Sequence, residues 1–378
     1  MAHEFAVTYS AFAGSLYLES TFYPRSKLHD CRRCPPSPRC PPRTNISSQA
    51  NPVGRGKSSP VWADGGPLSA VVSALTRSPL YPGITKAARK VLISTVENRG
   101  FGWGDFVQDL EQRIPIEARD DLLKTISNPD LVYPDYYHWQ FHGYKHGNLA
   151  WLPAFEAEPA TMAMSARVYK KETHLTCEEA SARLRKSYLD AVFSCGPPGF
   201  GLSQNFKVLD IGCGVGISTC ALTARLEELR SPGGDDFQVV GYDASPYMIA
   251  VADVVHKPSN VSYEHGLGES CDRGDGSIDW YNTQFMIHEL PASAIRAVCQ
   301  EAHRVLQSGG VLSLNDMDPT SDVIQNLSPV LFTLMKSTEP YLDEYFALDM
   351  EPMLRDIGFA TVTITRTSPR HRAIVAIK

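Results

Sequence analysis

The chain has 378 residues, 43% apolar and 21% charged, with a net charge of −6. This is the composition of a globular protein, and it carries no long basic stripe of the kind that binds nucleic acid. No apolar run reaches about 18 residues, so no membrane-spanning helix is expected.

In chain order, residues 1–60 come first. Their only acids are Glu4, Glu19 and Asp30, and Ser and Pro dominate after Tyr23. No periodic apolar pattern is sustained, so the segment reads as a disordered tail or a transit-like leader. Its cysteines Cys31, Cys34 and Cys40, beside His29, are of types that bind zinc. Pro and Arg crowd the segment, however, and no second ligand pair stands at a familiar spacing, so no metal is expected. The other six cysteines stand singly, as reduced thiols do.

Residues 61–195 read as a helical cap that walls the substrate. Val71, Val72, Leu75 and Leu80 begin it, and Ile84, Ala88, Val91, Leu92 and Val96 follow at helix spacing. Phe106–Leu110 and Leu122–Ile126 are short helices. A helix from Leu149 through Met162 is expected to kink or restart at Pro153 and Pro159, and another spans Glu178–Val192. The cluster Arg183, Arg185 and Lys186 reads as a solvated helix face. Between the helices lies an aromatic and imidazole block from Tyr133 to Asn148. With the stretch Glu339-Pro340-Tyr341-Leu342-Asp343-Glu344-Tyr345 it is expected to wall a substrate, or else to pack a capping subdomain.

Residues 196–378 alternate strands with helices, the pattern of a parallel sheet covered on both faces. Strands are expected at Lys207–Ile211, Gln238–Tyr242, Val261–His265, Ile278–Asn282 and Val311–Leu314. The helices are Ser218–Leu229, Pro246–Val254, Ala292–Leu306 and Tyr345–Ile357. Phe359–Thr365 and Arg372–Ile377 then form a hairpin, which adds an antiparallel strand at the end.

The motif Val208-Leu209-Asp210-Ile211-Gly212-Cys213-Gly214-Val215-Gly216 leaves the first strand. Glycines at this spacing let the backbone approach a ligand, and the next helix points its N-terminus there. Asp210 is placed where a carboxylate can meet a cationic amino group. Asp243 closes the second strand, where it can accept both ribose hydroxyls. His288 follows the fourth strand at the ligand-binding edge; it is a candidate base, or else a cap or packing group. His142 and Tyr144 could reach over the site from the helical region. Asn315, Asp316 and Asp318 form a turn before Pro319 or touch the substrate.

Together these residues resemble the class I S-adenosylmethionine-dependent methyltransferase superfamily over roughly Leu202–Lys378. The resemblance implies a Rossmann-like α/β fold with a seven-stranded, mostly parallel sheet and an antiparallel C-terminal strand. It implies S-adenosyl-L-methionine as cofactor and a small-molecule acceptor offering an O, S or C nucleophile. Asp210, Gly212 and Gly214 would flank the methionine moiety, and Asp243 would hold the ribose. Ala244 and Met248 would line the adenine, Met248 alternatively serving only the core. Cys213 and Thr283 complete the expected cofactor contacts. The acid that often follows the third strand is replaced by Leu267 or Gly268, with Glu269 just beyond. Phe141–Leu149 and His288-Glu289-Leu290-Pro291 resemble an uncharacterised group of plant, algal and cyanobacterial methyltransferases, which implies a plastid or cytoplasmic setting. A nicotinamide-dependent oxidoreductase and a non-catalytic cofactor-binding scaffold are the alternatives. The antiparallel strand argues against the first, and the intact Asp210, Gly212, Gly214 and Asp243 set against the second.

Overall fold

The computed structural model describes residues 81–139, 141–230 and 237–378. The tail at 1–60, the zinc pattern at His29 to Cys40 and the helix through Val71–Leu80 lie outside the described residues.

Among the described residues, five α-helices precede the sheet: α1 (Tyr81–Glu97), α2 (Trp103–Arg113), α3 (Ile116–Ile126), α4 (Trp151–Val168) and α5 (Cys177–Cys195). α4 is buried almost all round, and it packs on α1, α2 and α5. Its small residues Ala160, Ala163 and Ala166 let Leu92 and Val96 of α1 approach closely. Pro153 sits in its first turn, where no amide partner is needed, and the helix continues through Pro159 without restarting. Glu156, 3% exposed, is the polar centre of this layer. It accepts from Arg89 Nη1 (3.0 Å), Trp103 Nε1 (3.2 Å) and Tyr144 Oη (2.8 Å). α5 opens with a capping box in which Thr176 and Glu179 satisfy each other's amides.

The sheet comprises β1 (Phe206–Ile211), β2 (Phe237–Asp243), β3 (Val261–His265), β4 (Ile278–Gln284), β5 (Leu306–Met317), β6 (Thr361–Arg366) and β7 (His371–Ile377). Its spatial order is β3-β2-β1-β4-β5-β7-β6. β7 runs antiparallel to both of its neighbours, while β1 to β5 pair in parallel. This is the expected Rossmann-like architecture with its reversed last strand.

α6 (Ile217–Leu229) and α7 (Pro246–Val255) follow β1 and β2, and α8 (Ala292–Val305) follows β4. Alternation along the strands sorts the core into two faces. Val208, Val239, Trp280, Val311 and Val375 meet Tyr188 and Val192 of α5 and Leu222 and Leu226 of α6. Leu209, Ile211, Tyr281, Leu312 and Ile374 meet Ile295, Val298 and Ala302 of α8 on the other side. The helical layer joins this body through Leu110, Ile114 and Phe155, which pack on Val215, Met248 and Val251. All described residues belong to one compact unit.

Three segments differ from expectation. β5 begins at Leu306, so Gln307–Gly310 extend a strand past an irregularity at Ile278/Trp280 instead of forming a free turn. α9 (Asp322–Gln325) and α10 (Pro329–Thr338) fill a stretch with no expected element. The helix expected over Tyr345–Ile357 is two helices, α11 (Leu342–Ala347) and α12 (Met350–Ile357), with Leu348 extended between them. Pro352 gives the reason: in a continuous helix its ring would strike the carbonyl of Leu348 four residues back.

Candidate functional site

One cavity lies where the carboxyl ends of β1, β2, β3 and β4 face the helical layer. The loops after these strands form its floor: Gly212–Gly214, Asp243–Ala244, Gly266–Glu269 and Gln284–Met286. Ala157, Thr161 and Met164 of α4 and the block residues Tyr137, His142 and Tyr144 form its opposite wall. Of the described non-glycine residues with positive φ, His142 (55°) and Phe285 (58°) both stand here. Such backbone is costly and tends to concentrate at functional sites.

The turn after β1 is shaped to receive a ligand. Gly212 has φ +65°, and a Cβ there would meet Met286 Sδ at 2.5 Å. Gly214 has φ +54° and open space where a Cβ would stand. Its amide donates to Asp243 Oδ2 (2.8 Å), while Ser245 N donates to Oδ1 (2.7 Å). Each carboxylate oxygen keeps a further lone pair for a ribose hydroxyl. Burial pushes the Asp243 carboxyl up to about 6 against those amide bonds. Cys213, Ala244 and Met248 also line the cavity. Met248 serves the core as well, packing with Phe155 and Val251.

Arg185 was missed by the reading of its cluster as a solvated face. Arg183 and Lys186 are exposed, whereas Arg185 is 6% exposed and lines the cavity. Its Nη1 donates to Ser181 Oγ (2.8 Å), and its buried Nε has no acceptor. Among the described residues no carboxylate forms an ion pair with it, and burial pulls its pKa down to about 10. A buried guanidinium without a counter-ion is suited to a ligand carboxylate. The signal was its place on the stripe Ser181, Leu184, Tyr188, Leu189 and Val192, all buried. The glycine cradle, the ribose acceptor and this cation together fit S-adenosylmethionine.

Several expected site residues are placed otherwise. Asp210 lies behind the cavity wall, wholly buried. Its oxygens accept from Ser218 Oγ (2.7 Å), Thr219 Oγ1 (2.7 Å) and Asn282 Nδ2 (2.6 Å). These bonds tie the end of β1 to the start of α6 and to β4. Thr283 is also buried and off the wall, where Gln284 and Phe285 stand instead.

His288 is 4% exposed and is not among the lining residues. Its Nδ1 meets Asp316 at 2.8 Å. Burial is the largest influence and opposes its charge, but Asp316, Glu339 and Glu289 together outweigh it and raise its pKa to about 9. Its Nε2 is buried without a hydrogen-bond partner. Tyr144 lines the cavity, yet its hydroxyl is spent on Glu156. Tyr345 is fully buried and donates to the Met317 carbonyl, and Tyr341 contacts Tyr136 edge-on without reaching the wall. Asp318 holds Arg366 at 2.7 Å and Thr320, so it acts as a turn anchor.

His142 does reach the cavity, between Glu289 and Glu339, which were not expected to pair with it. Its Nε2 lies 3.0 Å from Glu289 Oε1 and its Nδ1 2.9 Å from Glu339 Oε1. Burial disfavours the imidazolium, but the two carboxylates hold its pKa well above the usual range. Nε2 is hydrogen-bonded to Glu289, while Nδ1 lies close to Glu339 without hydrogen-bond alignment. Asn148 braces this corner: its carbonyl accepts from Ser245 Oγ (2.7 Å) and its Nδ2 approaches Glu289 Oε2 (3.4 Å).

Residues 208–310 match the family described as a methyltransferase domain. Over 161 residues the chain is 28% identical to an uncharacterized methyltransferase of Synechocystis sp., covering 43% of this chain and 70% of that protein. Over 153 residues it is 28% identical to a demethylmenaquinone methyltransferase of Staphylococcus aureus, covering 40% of this chain and 58% of that one. Among solved structures, a Haemonchus contortus phosphoethanolamine N-methyltransferase 2 in complex with S-adenosyl-L-methionine aligns at 15% identity and a TM-score of 0.39, over 51% of this chain and 52% of its own.

Proposed function

We propose that this chain, whose residues 208–310 form a methyltransferase domain of the class I S-adenosylmethionine-dependent superfamily, transfers the cofactor's methyl group to a small-molecule acceptor. One observation carries the small-molecule part. The glycine turn and Asp243 share a single cavity with the α4 face and Phe285, so donor and acceptor would meet beneath a helical layer.

S-adenosylmethionine supplies an activated methyl on a sulfonium, and the protein's task is alignment and exclusion of water. Gly212 and Gly214 admit the ligand backbone, Asp243 accepts from the ribose, and Arg185 pairs with the methionine carboxylate. Ala157, Thr161, Met164 and Phe285 shape the acceptor side. Of the expected base candidates, His288 lies off the cavity wall beside Asp316, His142 is held between two carboxylates, and the Tyr144 hydroxyl donates to Glu156, so each is turned to a carboxylate rather than to the acceptor space. That favours an acceptor whose nucleophile is already unprotonated or is readily ionised.

Incubating the protein with methyl-labelled S-adenosylmethionine and a metabolite extract tests the reading. Label should appear in a low-molecular-weight product. Label confined to added RNA or protein, or tight binding of NADH with none of S-adenosylhomocysteine, would refute it.

A further inference from the structure

His142, Glu289 and Glu339 come from three separate places: the short turn Phe141–Gly143, the turn Ile287–Glu289, and the C-cap of α10. One ligand-type atom from each lies within 4.8 Å of the others. His142 and Glu289 stand in the cavity wall, and Glu339 is 2% exposed.

An imidazolium alone leaves this corner unsatisfied. His142 meets Glu289 in hydrogen-bonding geometry. Toward Glu339 the contact is close but not aligned as a hydrogen bond, so His142 Nδ1 and both oxygens of Glu339 are buried without a hydrogen-bond partner. The side-chain oxygen of Asn148, whose amide nitrogen approaches Glu289, is likewise buried and unpartnered. A buried carboxylate with no donor is costly unless a cation meets it. Two carboxylates and a neutral imidazole are balanced in charge by one divalent ion.

We propose that His142, Glu289 and Glu339 form a divalent-cation site in the wall of the cofactor cavity. One imidazole nitrogen and carboxylate oxygens are a donor set for manganese or zinc. Three protein ligands leave coordination positions open, and the two ligands in the wall turn the site toward the space assigned to the acceptor. An oxygen-bearing acceptor, such as a phenol or a hydroxy acid, could enter those positions and be oriented by the ion. The binding of the cation stands by itself; its role toward the acceptor rests on the methyl-transfer reading.

The full chain, stripped with a chelator and then titrated with MnCl2 and separately with ZnCl2, tests the site by calorimetry. Loss of the free-ion electron paramagnetic resonance signal gives a second readout for manganese. One equivalent of at least one of the two ions should bind, and Glu339→Gln and His142→Gln should each weaken it at least about tenfold. Titration with S-adenosylhomocysteine in parallel reports whether each variant is folded. Saturable binding absent up to about 1 mM of both ions, weaker than ordinary protein sites for hard cations, overturns the proposal. So does unchanged affinity in a folded Glu339→Gln variant. Binding of S-adenosylhomocysteine without metal sinks this inference and spares the methyl-transfer reading, and the converse result does the opposite.

Discussion

At the scale of single residues, the site separates groups that touch a ligand from groups that hold the wall. Asp210 and Asp243 are both acids at strand ends, yet only Asp243 keeps acceptor capacity toward the cavity. The difference lies in the start of α6, whose Ser218 and Thr219 hydroxyls consume Asp210. Arg185 is the opposite case, a charge on a buried stripe held by Ser181 and, among the described residues, by no carboxylate ion pair. Its assignment predicts a specific loss. Arg185→Ala should weaken S-adenosylhomocysteine binding about 10- to 100-fold, the worth of a hydrogen bond to a charged group. It should leave 5′-methylthioadenosine, which lacks the amino acid moiety, bound as in the wild type. Calorimetry with the two ligands checks this, and equal weakening of both would remove Arg185 from the methionine end. The glycines and Asp243 were legible because they answer demands of the local backbone: positive φ, a close approach, a carboxylate at a strand end. Arg185 needed the 3.6-residue period of α5 to be set above the reading of its charge. Glu289 and Glu339 had no local signal, since only the packing of distant segments brings them to His142.

At the scale of elements, α4 ties the helical layer to the sheet. Its Glu158 meets His256 at the C-cap of α7 at 2.9 Å. Burial opposes the imidazolium of His256, but hydrogen bonds to Cys220 and Glu158 raise its pKa to about 9. A pKa raised from 6.5 on folding adds stability that is fully present below about pH 6.5 and is lost as pH rises through about 9. Glu158→Gln should therefore cost about 1–3 kcal/mol near pH 6, by the equivalence of pKa shift and free energy. The difference from wild type should vanish above pH 9. Urea unfolding at a series of pH values measures it, and a cost independent of pH would mean that the pair contributes only packing. Elements also show how one proline can decide a boundary. Pro352 divides α11 from α12 at Leu348, where one continuous helix was expected, whereas Pro159, expected to kink or restart α4, leaves it continuous among buried neighbours.

At the scale of the whole molecule, the helical layer and the sheet share a core through Phe155, Val215 and Met248. They should unfold together. Trp103 and Trp151 report on the helical layer and Trp280 on the sheet, so fluorescence of single-tryptophan variants and far-ultraviolet circular dichroism should give coincident urea transitions. An earlier transition confined to Trp103 and Trp151 would show that the layer is a separable cap. The alternation of strands and helices, the reversed last strand and the glycine turn could be read from the chain alone, because apolar period, turn residues and backbone sterics act over a few neighbouring residues. Which helix face meets the cavity, whether a strand-end acid is free or spent, and how His142 comes to stand between Glu289 and Glu339 were decided only in the tertiary structure. Those outcomes depend on desolvation and on pairings that packing sets, across 147 residues for His142 and Glu289, and no local pattern encodes which partner will arrive.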